Sequence, residues 1–174
     1  SQTLHFSMPK QLLLFRHAEA VDKRQHENDE ERELTSKGLN QSVQMGVYLS
    51  RGLFIPDTIY CSTAVRAKQT ATLAADAMKF GSKKIIFDEE LYDASTRTLF
   101  GFISRLDNSL DHVMCVGHNP TLTYLAEYLT GESIGDLVPA GIVIIKFDIR
   151  SWAEVSQRNG SLVQYMHPQD SQRN

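Results

Sequence analysis

Two short, wholly apolar runs lie far apart in this chain, Leu12-Leu13-Leu14-Phe15 and Val113-Met114-Cys115-Val116, and each breaks at once into polar, histidine-bearing sequence, Arg16-His17 and Gly117-His118. Runs of this length bounded by polar residues read as strands, and apolarity at every position is what a strand covered on both faces requires. Such strands belong to sheets layered between helices, which bind ligands outside the carboxyl ends of their strands. Arg16, His17 and His118 therefore fall where a ligand is expected. Two histidines at two strand mouths point to one site assembled from distant parts of the chain.

The remaining sequence alternates in the same sense. After the strand over 11–16, residues 21–33 read as a polar surface loop, with 27–33 a solvated acidic face. Thr35 or Ser36 caps a helix whose inward face is expected at Val43 and Val47, with Leu39 and Tyr48, and Gly52 ends it. A second strand over 58–61 leads through Ser62-Thr63, read as cap residues, into a helix over 64–80 carrying Arg66 in its first turn. A third apolar run at 84–87 precedes acidic residues and a helix opened by Ser95 or Thr96. The strand over 112–117 is followed by a helix that Pro120 opens and Gly131 ends, and then by strands over 142–147 and 161–166. This order predicts an α/β fold, a three-layer α/β/α sandwich with a mostly parallel, mixed central sheet. No repeat or linker divides it, so one domain is expected over 10–168, with flexible termini at 1–9 and 169–174.

A formal net charge of −3 gives no reason to expect nucleic acid or an anionic membrane as partner, so any anion site must be a local cluster. The only two cysteines, Cys61 and Cys115, sit in apolar strand-like segments as core thiols, which suits a reduced, cytoplasmic protein. The amino terminus lacks the pattern of a secretory leader, and no apolar run is long enough to anchor the chain in a bilayer.

Arg16, His17, Arg66 and His118 would meet at the strand ends, with Ser62 and the amides at two helix starts nearby. Two planar guanidinium forks and oriented N–H groups suit a dianionic tetrahedral group, which implies a phosphoryl ligand. A histidine among such cations stays neutral, and a neutral imidazole can attack phosphorus. The histidines show no metal-ligand spacing and the arginines would repel a cation, so neither metal nor cofactor is expected.

The chain resembles the histidine phosphatase superfamily, also called the phosphoglycerate-mutase-like fold, and within it the small phosphohistidine phosphatases of the SixA type. The resemblance rests on Leu14-Phe15-Arg16-His17-Ala18-Glu19-Ala20, Leu34-Thr35-Ser36-Lys37-Gly38, Tyr60-Cys61-Ser62-Thr63-Ala64-Val65-Arg66-Ala67-Lys68-Gln69-Thr70-Ala71, Leu91-Tyr92-Asp93-Ala94-Ser95 and Val116-Gly117-His118-Asn119-Pro120, in that order. Ala18 stands where the larger family often has glycine.

The resemblance implies that His17 accepts the phosphoryl group as nucleophile, and that Arg16, Arg66 and His118 form the phosphate pocket. Ser62 and Asn119 would contact substrate beside them, and Asp93, or failing it Glu90, would act as general acid. No metal is implied. The short stretch after the third strand holds no capping insertion, so an open pocket is expected, suited to phosphohistidine on another protein such as a phosphotransfer domain or a phosphocarrier. The alternatives are a small-molecule phosphomonoesterase, a phosphoglycerate-mutase-like phosphotransferase, and a non-catalytic phosphohistidine-binding module.

Overall fold

Consecutive apolar residues in the strands become burial on both faces of a central sheet. The computed structural model describes residues 9–168. The expectation of flexible termini at 1–9 and 169–174 lies, apart from Pro9, outside the described residues. In chain order the elements are β1 (Lys10–Arg16), α1 (Ser36–Leu49), β2 (Thr58–Ser62), α2 (Val65–Ala77), β3 (Ile86–Asp88), α3 (Thr96–Ser104), β4 (His112–Gly117), α4 (Thr121–Thr130), β5 (Ile142–Phe147) and β6 (Gly160–Met166). The six strands lie in the order β3-β2-β4-β1-β5-β6. The pairs β1·β4, β2·β4 and β2·β3 are parallel, whereas β5 runs antiparallel to both β1 and β6. This is the α/β sandwich with a mixed sheet that the sequence predicts.

Side chains alternate across the pleat and divide the core in two. Leu13, Phe15, Ile59, Cys61, Met114, Val116, Ile142 and Ile144 pack with buried residues of α1 and α2. Their neighbours Leu12, Leu14, Val113, Cys115, Val143, Ile145 and Phe147 pack with those of α3 and α4. Each fully buried Leu, Ile or Phe contributes about 1.5–3 kcal/mol, so the two layers fix the central strands rigidly beneath their carboxyl ends.

The inward face of α1 differs from the expectation. Leu39, Val43 and Val47 are 38%, 41% and 43% exposed, and Tyr48 is only partly buried; the buried positions are Gly38, Gln41, Ser42, Met45, Gly46 and Leu49. Size decided this face. Opposite it α2 presents Ala67, Ala71, Ala74 and Ala75, and the two helices lie so close that a Cβ on Gly46 would stand 2.6 Å from the Ala74 carbonyl oxygen. Small residues let the backbones approach and gather dispersion contacts that the bulkier valines would prevent.

Smaller differences follow. The N-cap of α2 is Ala64, with no side-chain cap, while the Ser62 hydroxyl accepts from the Ala64 amide itself and lies against His118. Trp152 is fully buried, with Nε1 donating to the Leu110 carbonyl at 2.8 Å. The third apolar run forms only a short edge strand whose Ile86 and Phe87 remain exposed. No helix among the described residues is long and apolar enough to cross a membrane.

Candidate active site

The site follows from strand register. In the parallel β1·β4 pair Arg16 lies opposite Gly117, so the next residue of each strand emerges at the same level. His17 and His118 consequently face each other with ring centroids 5.2 Å apart. On the far side of β4, Cys61 lies opposite Val116, which brings Ser62 at the end of β2 level with Gly117, one residue before His118. The Ser62 Oγ is 2.7 Å from Nε2 of His118. Arg66 enters from the first turn of α2, and Thr70, one turn on, accepts from the Ala18 amide at 3.0 Å and so ties the turn after His17 to that helix.

The electrostatics favour neutral imidazoles. Burial pushes His17 down to about 3, against a bond from its ring to the Ala18 carbonyl, with His118, Arg66 and Arg16 adding to the depression. Burial likewise takes His118 down to about 4, with Arg66, Arg32 and Arg16 lowering it and Asp29 opposing them. His17 Nδ1 lies 2.8 Å from the Ala18 carbonyl oxygen. A carbonyl only accepts, so Nδ1 carries the proton and Nε2 keeps its lone pair.

Arg16, His17, Arg66, Asp93, His118 and Asn119 all line a cavity of about 420 Å³. Arg16 donates through NH1 to the Leu137 carbonyl at 2.6 Å, while the Nε atoms of Arg16 and Arg66 are buried with no partner among the described residues. Unpaired buried guanidinium donors are costly unless something arrives to accept from them. Asn119 reaches the same Leu137 carbonyl through Nδ2, and its Oδ1 accepts from Thr123, so its amide is committed to the wall. Ser62 is fully buried behind His118. Asp93 is exposed at the rim, in a left-handed backbone conformation with φ of 54°. Glu90 is engaged by Arg105 at 2.8 Å and does not line the cavity.

The expectation of a solvated face over 27–33 is corrected by Asp29 and Arg32, which line the cavity with Lys23, Glu19 and Tyr92. Arg66 donates to the Asp29 carbonyl at 2.7 Å and to its carboxylate at 3.0 Å, and the Tyr92 hydroxyl donates to the same carboxylate at 2.9 Å. Burial alone would raise the Asp29 carboxyl, but the bonds from Tyr92, Arg66 and Arg32 hold it at about 2. Tyr92 also stands edge-on to the His118 ring, with centroids 5.7 Å apart. Sequence reading missed this group, and the available signal was slight: one arginine embedded in an acidic run. Among the described residues no group of three or more His, Cys, Asp or Glu is arranged to hold a metal ion.

A family profile described as the histidine phosphatase superfamily, branch 1, matches residues 12–99. An uncharacterised protein of Mycobacterium tuberculosis is 30% identical over 149 residues, which cover 80% of this chain and 91% of that protein. A candidate phosphohistidine phosphatase SixA from Agrobacterium tumefaciens superposes with a TM-score of 0.79 at 25% identity, over 93% of this chain and 100% of that one. The protein histidine phosphatase SixA complexed with tungstate gives 0.78 at 23% identity, over 92% of this chain and 98% of that one.

Proposed function

This chain is a phosphatase of the histidine phosphatase superfamily, and from that premise we propose that it hydrolyses phosphohistidine on another protein, without a metal ion, residues 10–168 acting as one unit. The observation that carries the reading is the pairing of His17, whose Nε2 is free and unprotonated, with Arg16 and Arg66, two buried guanidinium groups that line the same cavity and whose Nε atoms have no partner among the described residues.

In this reading His17 Nε2 attacks phosphorus in line, forming a new N–P bond as the substrate's N–P bond breaks. Arg16, Arg66 and His118 take the equatorial oxygens, where charge is stabilised by donors already in place. The substrate ring, protonated on its other nitrogen, departs as neutral imidazole. His17 then holds the phosphoryl group in the same chemical form, with its proton on Nδ1 against the Ala18 carbonyl. Transfer between two like rings is close to balanced and needs no strong general acid. Water next attacks phosphorus, its protons leave with inorganic phosphate, and neutral His17 is restored. The guanidinium groups supply the positive charge that a metal would otherwise bring.

The short connection between β3 and α3 leaves the cavity accessible to a side chain carried on another protein, a phosphotransfer domain or phosphocarrier. Cys61 and Cys115 belong to opposite core layers and are both free, which supports assignment to the reducing cytoplasm. A second reading, hydrolysis of a phosphomonoester, draws on Asp93 at the cavity rim, because an alkoxide leaving group requires a proton donor.

The test is a chelator-treated reaction with a phosphohistidine-bearing phosphotransfer domain, quenched in alkali, alongside His17→Ala. Released phosphate and transient acid-labile label on wild type, both absent in the variant, are expected. No release and no label from folded protein would overturn the substrate assignment.

A further inference from the structure

A carboxylate inside a cavity built for a phosphoryl dianion should weaken binding by repulsion, yet Asp29 lines this one beside Arg66 and His118. Its contacts resolve the conflict. Both terminal nitrogens of Arg66 donate to Asp29, NH1 to its carbonyl and NH2 to its carboxylate, while the buried Nε has no partner among the described residues. The other carboxylate oxygen accepts from Nε of Arg32 at 3.2 Å, and NH1 of Arg32 donates to the Val21 carbonyl at 2.7 Å. Among the described residues no partner is found for the remaining terminal nitrogen of Arg32, a buried side chain on the cavity wall. One carboxylate thus fixes the planes of two guanidinium groups and leaves each a donor to spare.

We propose that Asp29 is a positioning residue of the phosphate site, which holds Arg66 in orientation and makes Arg32 a third guanidinium facing the substrate. The segment over 22–33 is on this view a wall of the site, doing part of what an insertion after β3 would do. Arg32 lines the same cavity as His118, and its charge helps hold that ring below its ordinary pKa. Tyr92 completes the anchor by donating to the carboxylate from the segment before α3, so two distant stretches of chain, with Arg66 and Tyr92, converge on Asp29 and its neighbour Arg32. A guanidinium fork held at two nitrogens loses little further entropy when it meets an anion, which is the advantage of the arrangement. The inference rests on the phosphate-site reading above and adds Asp29 and Arg32 to it.

The test uses the sign of a charge effect. Removing a negative charge by Asp29→Asn should tighten binding of inorganic phosphate if the carboxylate acts only through its field. If it acts by positioning, binding weakens, by about tenfold or more for loss of a charge-assisted contact. Calorimetric titration of wild type, Asp29→Asn and Arg32→Gln with inorganic phosphate is expected to show both variants weakened. Tyr92→Phe, which removes one bond to the carboxylate and no charge, is expected to weaken binding less, and it decides the matter should Asp29→Asn not fold. Equal or tighter phosphate binding by folded Asp29→Asn would overturn the positioning role. Unchanged binding by Arg32→Gln would overturn the third guanidinium. Failure of wild type itself to bind phosphate would instead strike the functional reading from which the inference starts.

Discussion

The Ser62 hydroxyl determines which nitrogen of His118 carries a proton. Its oxygen lies 2.7 Å from His118 Nε2 and also accepts from the Ala64 amide at 3.2 Å. The hydroxyl is fully buried, and donation to Nε2 is the arrangement that gives its own proton an acceptor. Nε2 is then the acceptor, and the proton of the neutral ring sits on Nδ1. Since His17 also carries its proton on Nδ1, the two facing rings hold the same tautomer.

Ser62→Ala is therefore expected to lower kcat by about tenfold, the loss of roughly one buried hydrogen bond. Ring nitrogen chemical shifts in ¹⁵N spectra should show Nδ1–H at His118 in wild type and a mixture of tautomers in the variant. An Nε2–H signal in wild type would refute the assignment.

The depressed histidines make stability depend on pH with a definite sign. His17 and His118 titrate near 3 and 4 in the folded protein and near 6.5 when unfolded. Between those limits the unfolded chain binds more protons, so stability is complete above about 6.5 and falls as pH drops toward 4, by up to about 1.4 kcal/mol per pH unit for each ring. Asp29, held near 2 against an ordinary 3.8, adds its own loss only at lower pH. Urea unfolding at a series of pH values between 7 and 4.5 should show this decline, and His118→Asn should reduce its slope. A flat profile in wild type would contradict the buried, neutral state of both rings.

The β1 and β4 strands and their histidines were legible because the signal is local, a few apolar residues and then Arg16-His17 or Gly117-His118. The α1 face was not. Ser42 and Gly46 look polar or permissive in sequence and are buried because α2 offers alanines opposite them. The Asp29 anchor was hidden for another reason. Its contacts with Arg66 and Tyr92 span 37 and 63 residues, and nothing in the loop sequence points to either partner. Ser62 was visible as a site residue, but its burial behind His118 required the register of three strands.

The α1·α2 contact can be tested by comparing two positions one turn apart. Gly46→Ala would place a Cβ 2.6 Å from the Ala74 carbonyl oxygen and 2.8 Å from the Ala77 Cβ, and backbone cannot give way as a side chain can. A destabilisation of about 1–3 kcal/mol is expected, the usual range for overpacking. Val43→Ser, on the exposed face, should change stability by about 0.5 kcal/mol or less. The reverse ranking in denaturant midpoints would show that the valine face is the packed one.

Asp93 separates the two leaving groups. Asp93 lines the cavity with no side-chain hydrogen bond among the described residues to fix it, at φ 54° where aspartate is one of the few side chains tolerated. A phosphoester expels an alkoxide that needs a proton in the transition state, and loss of a general acid costs about 10²–10⁴-fold. Phosphohistidine protonated on its distal nitrogen expels neutral imidazole and makes no such demand. Asp93→Asn is thus expected to lose at least about 10²-fold on an alkyl phosphomonoester while keeping most of its kcat on phosphohistidine. Equal losses on both substrates would assign Asp93 to binding. Equal retention would remove it from the chemistry altogether, leaving His17, the two arginines and His118 to account for the reaction.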